Sequence, residues 1–227
     1  MRSATIADIP LEETAPDFDR LAQVYRWMEW LSFGPFLSRC RCAFLTSLKN
    51  CRSALVLGDG DGRFTARLLE ENQQVTILAV DASGAMLAEL RRRSDFNGRR
   101  LKTQLTDARA FEPEQCDYDL LVTHFFLDCL TTEEVELLAG RLRTHADQEV
   151  LWVVSEFSVP AGWYGRAIAQ PLINVLYWAF GWLTGLQVRR LPHHRLALAQ
   201  AGWSLERERP SLGGLLVSEL WRINPPA

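Results

Sequence analysis

The chain has 227 residues, of which 48% are hydrophobic and 23% charged, with a formal net charge of −3. That composition excludes a disordered polymer, and the slightly acidic balance gives no general attraction to nucleic acid. The length suits one α/β domain with additions, and Trp is in excess at 8 residues.

In chain order, residues 1–15 read as a leader too acidic and too polar for a secretory signal. From Phe18 to about Leu48 the spacing is helical, broken at Gly34-Pro35, and aromatic residues crowd it: Tyr25, Trp27, Trp30, Phe33, Phe36 and Phe44. We expect an N-terminal helical cap over residues 1–50 and the main domain over 51–227. Strands are predicted at 53–58, 75–81, 101–107, 117–125 and 149–157, with helices between them at 63–72, 83–94 and 131–145. Such alternation predicts right-handed crossovers and a mainly parallel sheet with helices on both faces. After Pro160 an aromatic-rich insertion runs to about residue 190, then a helix at 193–203 and two strands near 204–209 and 214–223. A final strand pair predicts an antiparallel hairpin at the sheet edge.

Five cysteines, Cys40, Cys42, Cys51, Cys116 and Cys129, form no CxxC pair, so we expect structural thiols in a cytoplasmic protein and no metal site. The apolar region from Ile168 to Val188 is interrupted by Gln170, Pro171, Asn174 and two glycines. It is not expected to span a bilayer. It can wall an apolar pocket, pack as a cap, or rest on a membrane surface with Arg189 and Arg190 at its edge.

The chemistry concentrates at the strand ends. Gly58-Asp59-Gly60-Asp61-Gly62 lies between the first strand and its helix. Glycine there permits positive φ and close backbone approach, and the helix start offers unpaired N–H groups. The dinucleotide pattern GxGxxG fails in both registers, because its last position falls on Arg63 or Thr65. Asp81 ends the second strand, where a carboxylate can accept both hydroxyls of a ribose diol. Asp107-Ala108 ends the third, and His124-Phe125 ends the fourth, with Asp128 close behind. Consecutive strands ending this way predict a nucleoside-sized crevice at their carboxyl ends.

The GxGxG loop with Asp81 resembles motif I and its acidic partner in the class I S-adenosylmethionine-dependent methyltransferases. The resemblance covers about residues 53–157 and implies a Rossmann-like fold. It places the cofactor against Gly58, Asp59, Gly60, Gly62, Asp81, Ala82, Met86, Asp107, Ala108, His124 and Phe125. It implies a small apolar or aromatic methyl acceptor, S-adenosylhomocysteine as product, and His124 or Asp128 as candidate bases. Tyr25 to Gly34 and Ser155 to Pro160 are similar to segments of the ubiquinone/menaquinone C-methyltransferases. Tyr25, Phe33, Trp163 and Tyr164 are then the candidate substrate-pocket residues. Val56 stands where many members carry an acid for the cofactor's amino group, and Asp59 or Asp61 is the candidate substitute. A cofactor-binding regulatory protein without turnover remains an alternative, and a nicotinamide-dependent oxidoreductase is disfavoured by the glycine spacing. Nothing after the fourth strand resembles the Asn-Pro-Pro-Tyr motif of nucleic-acid methyltransferases.

Overall fold

The structure, a computed structural model, describes residues 35–94, 99–113, 118–184 and 190–223. Among these, seven strands form one sheet in the order β3-β2-β1-β4-β5-β7-β6. The strands are β1 (Ser53–Leu57), β2 (Thr76–Asp81), β3 (Leu101–Leu105), β4 (Tyr118–His124), β5 (Ala146–Phe157), β6 (Trp203–Ser211) and β7 (Leu216–Ile223). β1 pairs in parallel with both β2 and β4, and β4 with β5, whereas β7 runs antiparallel to β5 and β6. The expected parallel sheet with an antiparallel edge hairpin is the one observed. The chain reverses direction across the sheet beside β1, which opens a crevice between the ends of β1 and β4.

The helices are α1 (Pro35–Arg41), α2 (Arg63–Glu71), α3 (Gly84–Arg93), α4 (Thr132–Thr144), α5 (Gln170–Thr184) and α6 (His194–Gln200). Two of their starts follow from short polar side chains. The Ser83 hydroxyl accepts the Met86 N–H at the head of α3, and Thr131 with Glu134 closes a capping box on α4. Within residues 35–50 lie α1 and a 3₁₀ turn at Leu45–Leu48; Tyr25, Phe33 and the rest of residues 1–34, where most of the expected N-terminal cap falls, lie outside the described residues. The insertion after Pro160 forms a π turn at Gly165–Ala169 that continues into α5. No helix of the described residues is long and apolar enough to cross a membrane.

Three tryptophans account for part of the Trp excess. Trp152 and Trp203 meet edge to face at 5.0 Å between β5 and the start of β6. Their indole N–H groups donate to Thr123 Oγ1 and to the Ala139 carbonyl, so neither buried donor is orphaned. Trp221 donates to Glu219 inside the same region. On the opposite sheet face, Phe44, Phe64, Leu68 and Leu69 pack against Val56, Val122 and Val153. Val56 is therefore a core side chain, 1% exposed.

Candidate active site

The glycine turn follows β1 directly. Gly58, Gly60 and Gly62 have φ of 66°, 59° and 77°. A Cβ at Gly58 would lie 2.3 Å from Cδ2 and 2.8 Å from Cγ of Phe126, and one at Gly62 would lie 2.5 Å from Leu90 Cγ. Backbone conformation and neighbours both require glycine at these two positions.

The two acids within the turn have different surroundings. Asp61 is bound by Arg63 Nε at 2.9 Å and Arg93 Nη2 at 3.0 Å, which ties the turn to α2 and α3. Asp59 Oδ2 accepts the Thr65 N–H at 2.9 Å in the first turn of α2, while its Oδ1 is buried with no hydrogen-bond partner. Burial pushes the Asp59 carboxyl up to about 6. A buried carboxylate oxygen without a donor fits a ligand ammonium, the role that Val56 cannot fill. Of the two turn acids, only Asp59 has a buried carboxylate oxygen without a hydrogen-bond partner.

Asp81 ends β2 with Oδ1 accepting the Ser83 N–H at 2.9 Å, and burial pushes it also to about 6. Ala82 follows on the surface, and the Met86 side chain is buried with Sδ 4.0 Å from the space a Cβ would take at Gly60. Asp107 lies beyond β3, its Oδ1 on the Arg109 N–H at 2.8 Å and its Oδ2 3.3 Å from the Arg109 guanidinium. Ala108 beside it is buried. The structure thus brings Gly58, Asp59, Gly60, Asp81, Asp107 and Phe125 to the carboxyl ends of neighbouring strands, with Met86 on α3 beside them.

The structure separates the two candidate bases. His124 is 3% exposed, stacked edge-on to Phe64 at 4.4 Å, with neither ring nitrogen hydrogen-bonded. Burial, assisted by the Arg41 charge, holds its pKa well below the ordinary value and keeps it neutral. Asp128 is half-buried in a 3₁₀ turn, accepts the Cys129 thiol at 3.5 Å, and is raised to about 6 by burial. Of the substrate-pocket candidates, Trp163 is 73% exposed, and Tyr164 is half-buried with its hydroxyl donating to the Leu212 carbonyl at 3.3 Å.

Two residues escaped sequence reasoning. Arg41, 5% exposed at the end of α1, lies over the Phe125 ring at 5.3 Å, and its charge acts on Asp59 and His124. Glu156, 1% exposed, accepts the N–H groups of Phe126 at 3.1 Å and Leu127 at 2.8 Å. It thereby fixes the loop after β4, in which Phe125 takes a left-handed φ of 52°. The Glu156 stretch carried only a family resemblance, and Arg41 no signal at all.

Residues 54–147 match the family described as Methyltransferase domain. Solved structures of similar fold include the mitomycin 7-O-methyltransferase MmcR, with TM-score 0.70 and 14% identity, matching 93% of this chain and 61% of that one. The TehB-like SAM-dependent methyltransferase from Corynebacterium glutamicum ATCC 13032 Kitasato matches with TM-score 0.59 and 12% identity, over 90% of this chain and 96% of that one. DhpI, solved in complex with SAH, matches with TM-score 0.61 and 16% identity, over 92% and 98%. The chain spans about three fifths of the length of MmcR. No curated protein matches the sequence. Residues 54–147 thus match a methyltransferase domain, and they lie on the Rossmann-like fold of the class I methyltransferases.

Proposed function

We propose that the chain is an S-adenosylmethionine-dependent methyltransferase that acts on a small apolar or aromatic acceptor and releases S-adenosylhomocysteine. The domain match over 54–147 and the SAH complex of DhpI support the cofactor. The observation that carries the reading is the unpartnered Asp59 Oδ1 set between the left-handed glycines and Asp81. In this reading Asp59 receives the ammonium of the cofactor's amino-acid end, and Arg41 receives its carboxylate. Asp81 accepts the ribose diol, with Ala82 adjoining. Met86 packs on the adenine, and Asp107 with the Ala108 N–H meets the adenine edge. Gly58, Gly60 and Gly62 let the backbone approach, and Phe125 flanks the reacting end.

When bound, S-adenosylmethionine supplies the sulfonium methyl group. The chain's own residues align the acceptor for in-line attack and exclude water, and positioning of this kind contributes roughly 7–11 kcal/mol. Asp128, at about 6 and less enclosed than His124, is the group we assign to take the acceptor's proton. Residues 51–227, joined by Arg41, serve as the cofactor-binding unit, with the rest of residues 1–50 and the insertion at about 160–190 given to acceptor recognition. The similarity of Ser155–Pro160 to the quinone C-methyltransferases supports an aromatic ring as acceptor.

Calorimetry with S-adenosylhomocysteine tests the reading directly. Asp81→Ala is expected to weaken binding by about 1.5–3 kcal/mol, the scale of hydrogen bonds to a charged group. Binding should also tighten as pH rises through about 6, because the diol needs Asp81 ionised and burial holds that carboxyl protonated below this value. An absence of binding at millimolar concentration would sink the proposal. A second reading, a regulatory protein that binds the cofactor without turnover, is favoured by the enclosure of His124. Binding without transfer to any acceptor in a broad panel would select it.

A further inference from the structure

A second hollow of about 970 Å³ opens on the other half of the sheet, away from the glycine turn. Phe157 at the end of β5, Val159 just past it, and Leu191 and Pro192 before α6 give it apolar walls. The tilted rings of Phe157 and Phe125 meet at 5.3 Å, so this hollow shares a wall with the reacting end of the proposed cofactor site. Its size is that of a pocket for a small organic molecule.

The charges around it are one-sided. Arg190, His193, His194 and Arg195 line it, and among the described residues no carboxylate does. Two of these groups are already committed. His194 is 8% exposed, with Nε2 3.2 Å from Glu219 Oε2, and Arg195 is divided between Glu219 and Glu208, each at 2.6 Å. Glu219 is fully buried behind the wall and fixes both side chains. Arg190 is exposed, and among the described residues no carboxylate pairs with it. A cavity with an apolar wall, polar Ser158, Gln170 and Asn174, and a guanidinium that no described carboxylate pairs complements a molecule that has an apolar body and an anionic end.

We propose that this hollow binds the methyl acceptor, and that the acceptor is an aromatic or otherwise apolar molecule carrying an acidic group that meets Arg190. The inference rests on the methyltransferase reading for the word acceptor, but its binding chemistry is separable from it. The acidic group anchors one end at Arg190, and the apolar body runs along Leu191 and Val159 toward the Phe157–Phe125 wall. A neutral analogue keeps the apolar contacts and loses the anchor.

Two fluorescent probes that differ by one sulfonate test this: 1-anilinonaphthalene-8-sulfonate and neutral N-phenyl-1-naphthylamine, titrated into the folded full chain at low salt. The sulfonate should bind about tenfold more tightly than the neutral probe. Arg190→Ala should remove that difference, Arg190→Lys should restore part of it, and the neutral probe's affinity should be unchanged in both. S-adenosylhomocysteine binding, measured on the same variants, should be unaltered. Equal affinity for the two probes, no binding of either, or a sulfonate preference that survives Arg190→Ala overturns the proposal. Loss of S-adenosylhomocysteine binding by the unaltered chain instead defeats the methyltransferase reading and leaves the probe result standing on its own.

Discussion

Gly58→Ala is expected to abolish S-adenosylhomocysteine binding and to destabilise the protein by about 2–5 kcal/mol. Two effects add. A side chain in the left-handed region costs roughly 1–2 kcal/mol, and Gly58 has φ of 66°. The new Cβ also meets Cδ2, Cγ and Cβ of Phe126 at 2.3, 2.8 and 3.1 Å, so the clash falls on the root of the ring as well as its rim. Overpacking of this sort costs typically 1–3 kcal/mol. Urea denaturation of Gly58→Ala, Phe126→Ala and the double variant separates the effects. The double variant should regain the clash component but keep the φ component, giving clear non-additivity. A Gly58→Ala protein as stable as its parent would remove the argument.

Glu156→Ala should destabilise by about 2–5 kcal/mol and reduce methyl transfer more than cofactor affinity. The substitution leaves the N–H groups of Phe126 and Leu127 without their acceptor. An orphaned buried N–H costs about 1–3 kcal/mol. The same loop carries Phe125 and Asp128, so its loosening disturbs alignment. Glu156→Gln keeps a carbonyl oxygen in place and should largely restore the loop. It also carries a pH signature. Burial, reinforced by the nearby Asp128 charge, raises the Glu156 pKa well above the ordinary carboxyl value. Stability from its protonated form is therefore complete below the unfolded pKa and is lost as pH rises through the folded one. The Gln variant has no such loss, so its stability relative to the parent should grow with pH. Thermal melts across pH 5–9, an approximate window set by that linkage, check this; a gap that shrinks with pH would refute it.

The same linkage acts on Asp59 and Asp81, both raised to about 6 by burial. Each favours the free protein below the unfolded carboxyl pKa, and that contribution disappears as pH rises through about 6. A ligand that donates to these carboxylates compensates for their burial in the ionised form.

Most of the parallel sheet was legible because strands such as β1 and β2 are short apolar runs closed by glycine or an acid, and helices α3 and α4 open on capping residues. Ser83 and Thr131, the first residues of the predicted helices 83–94 and 131–145, are caps in the structure. The positions of Gly58, Asp81 and Asp107 followed from the same punctuation. Contacts set by strand register and packing were not legible. Glu156 reaches back 30 residues to the Phe126 N–H, and Arg41 comes from a helix outside the strand–helix alternation. The sequence also could not divide the work of the two turn acids, because the capture of Asp61 by Arg93 depends on how α3 packs beside the turn. The tryptophan excess was visible as a number, but its placement at the junction of β5, β6 and α4 required the antiparallel hairpin.

The strand order itself has a further consequence. β3, β2, β1 and β4 carry the groups assigned to the nucleoside, whereas the residues around the basic hollow come after Ser155, from the end of β5 through α6. In the proposed function the two reactants are thus met mainly by successive stretches of chain, with residues 1–50 adding Arg41 to the nucleoside side and further contacts to the acceptor. A hybrid that joins residues up to Val154 to the remainder of a related enzyme should retain its affinity for the nucleoside while adopting the other protein's choice of methyl recipient.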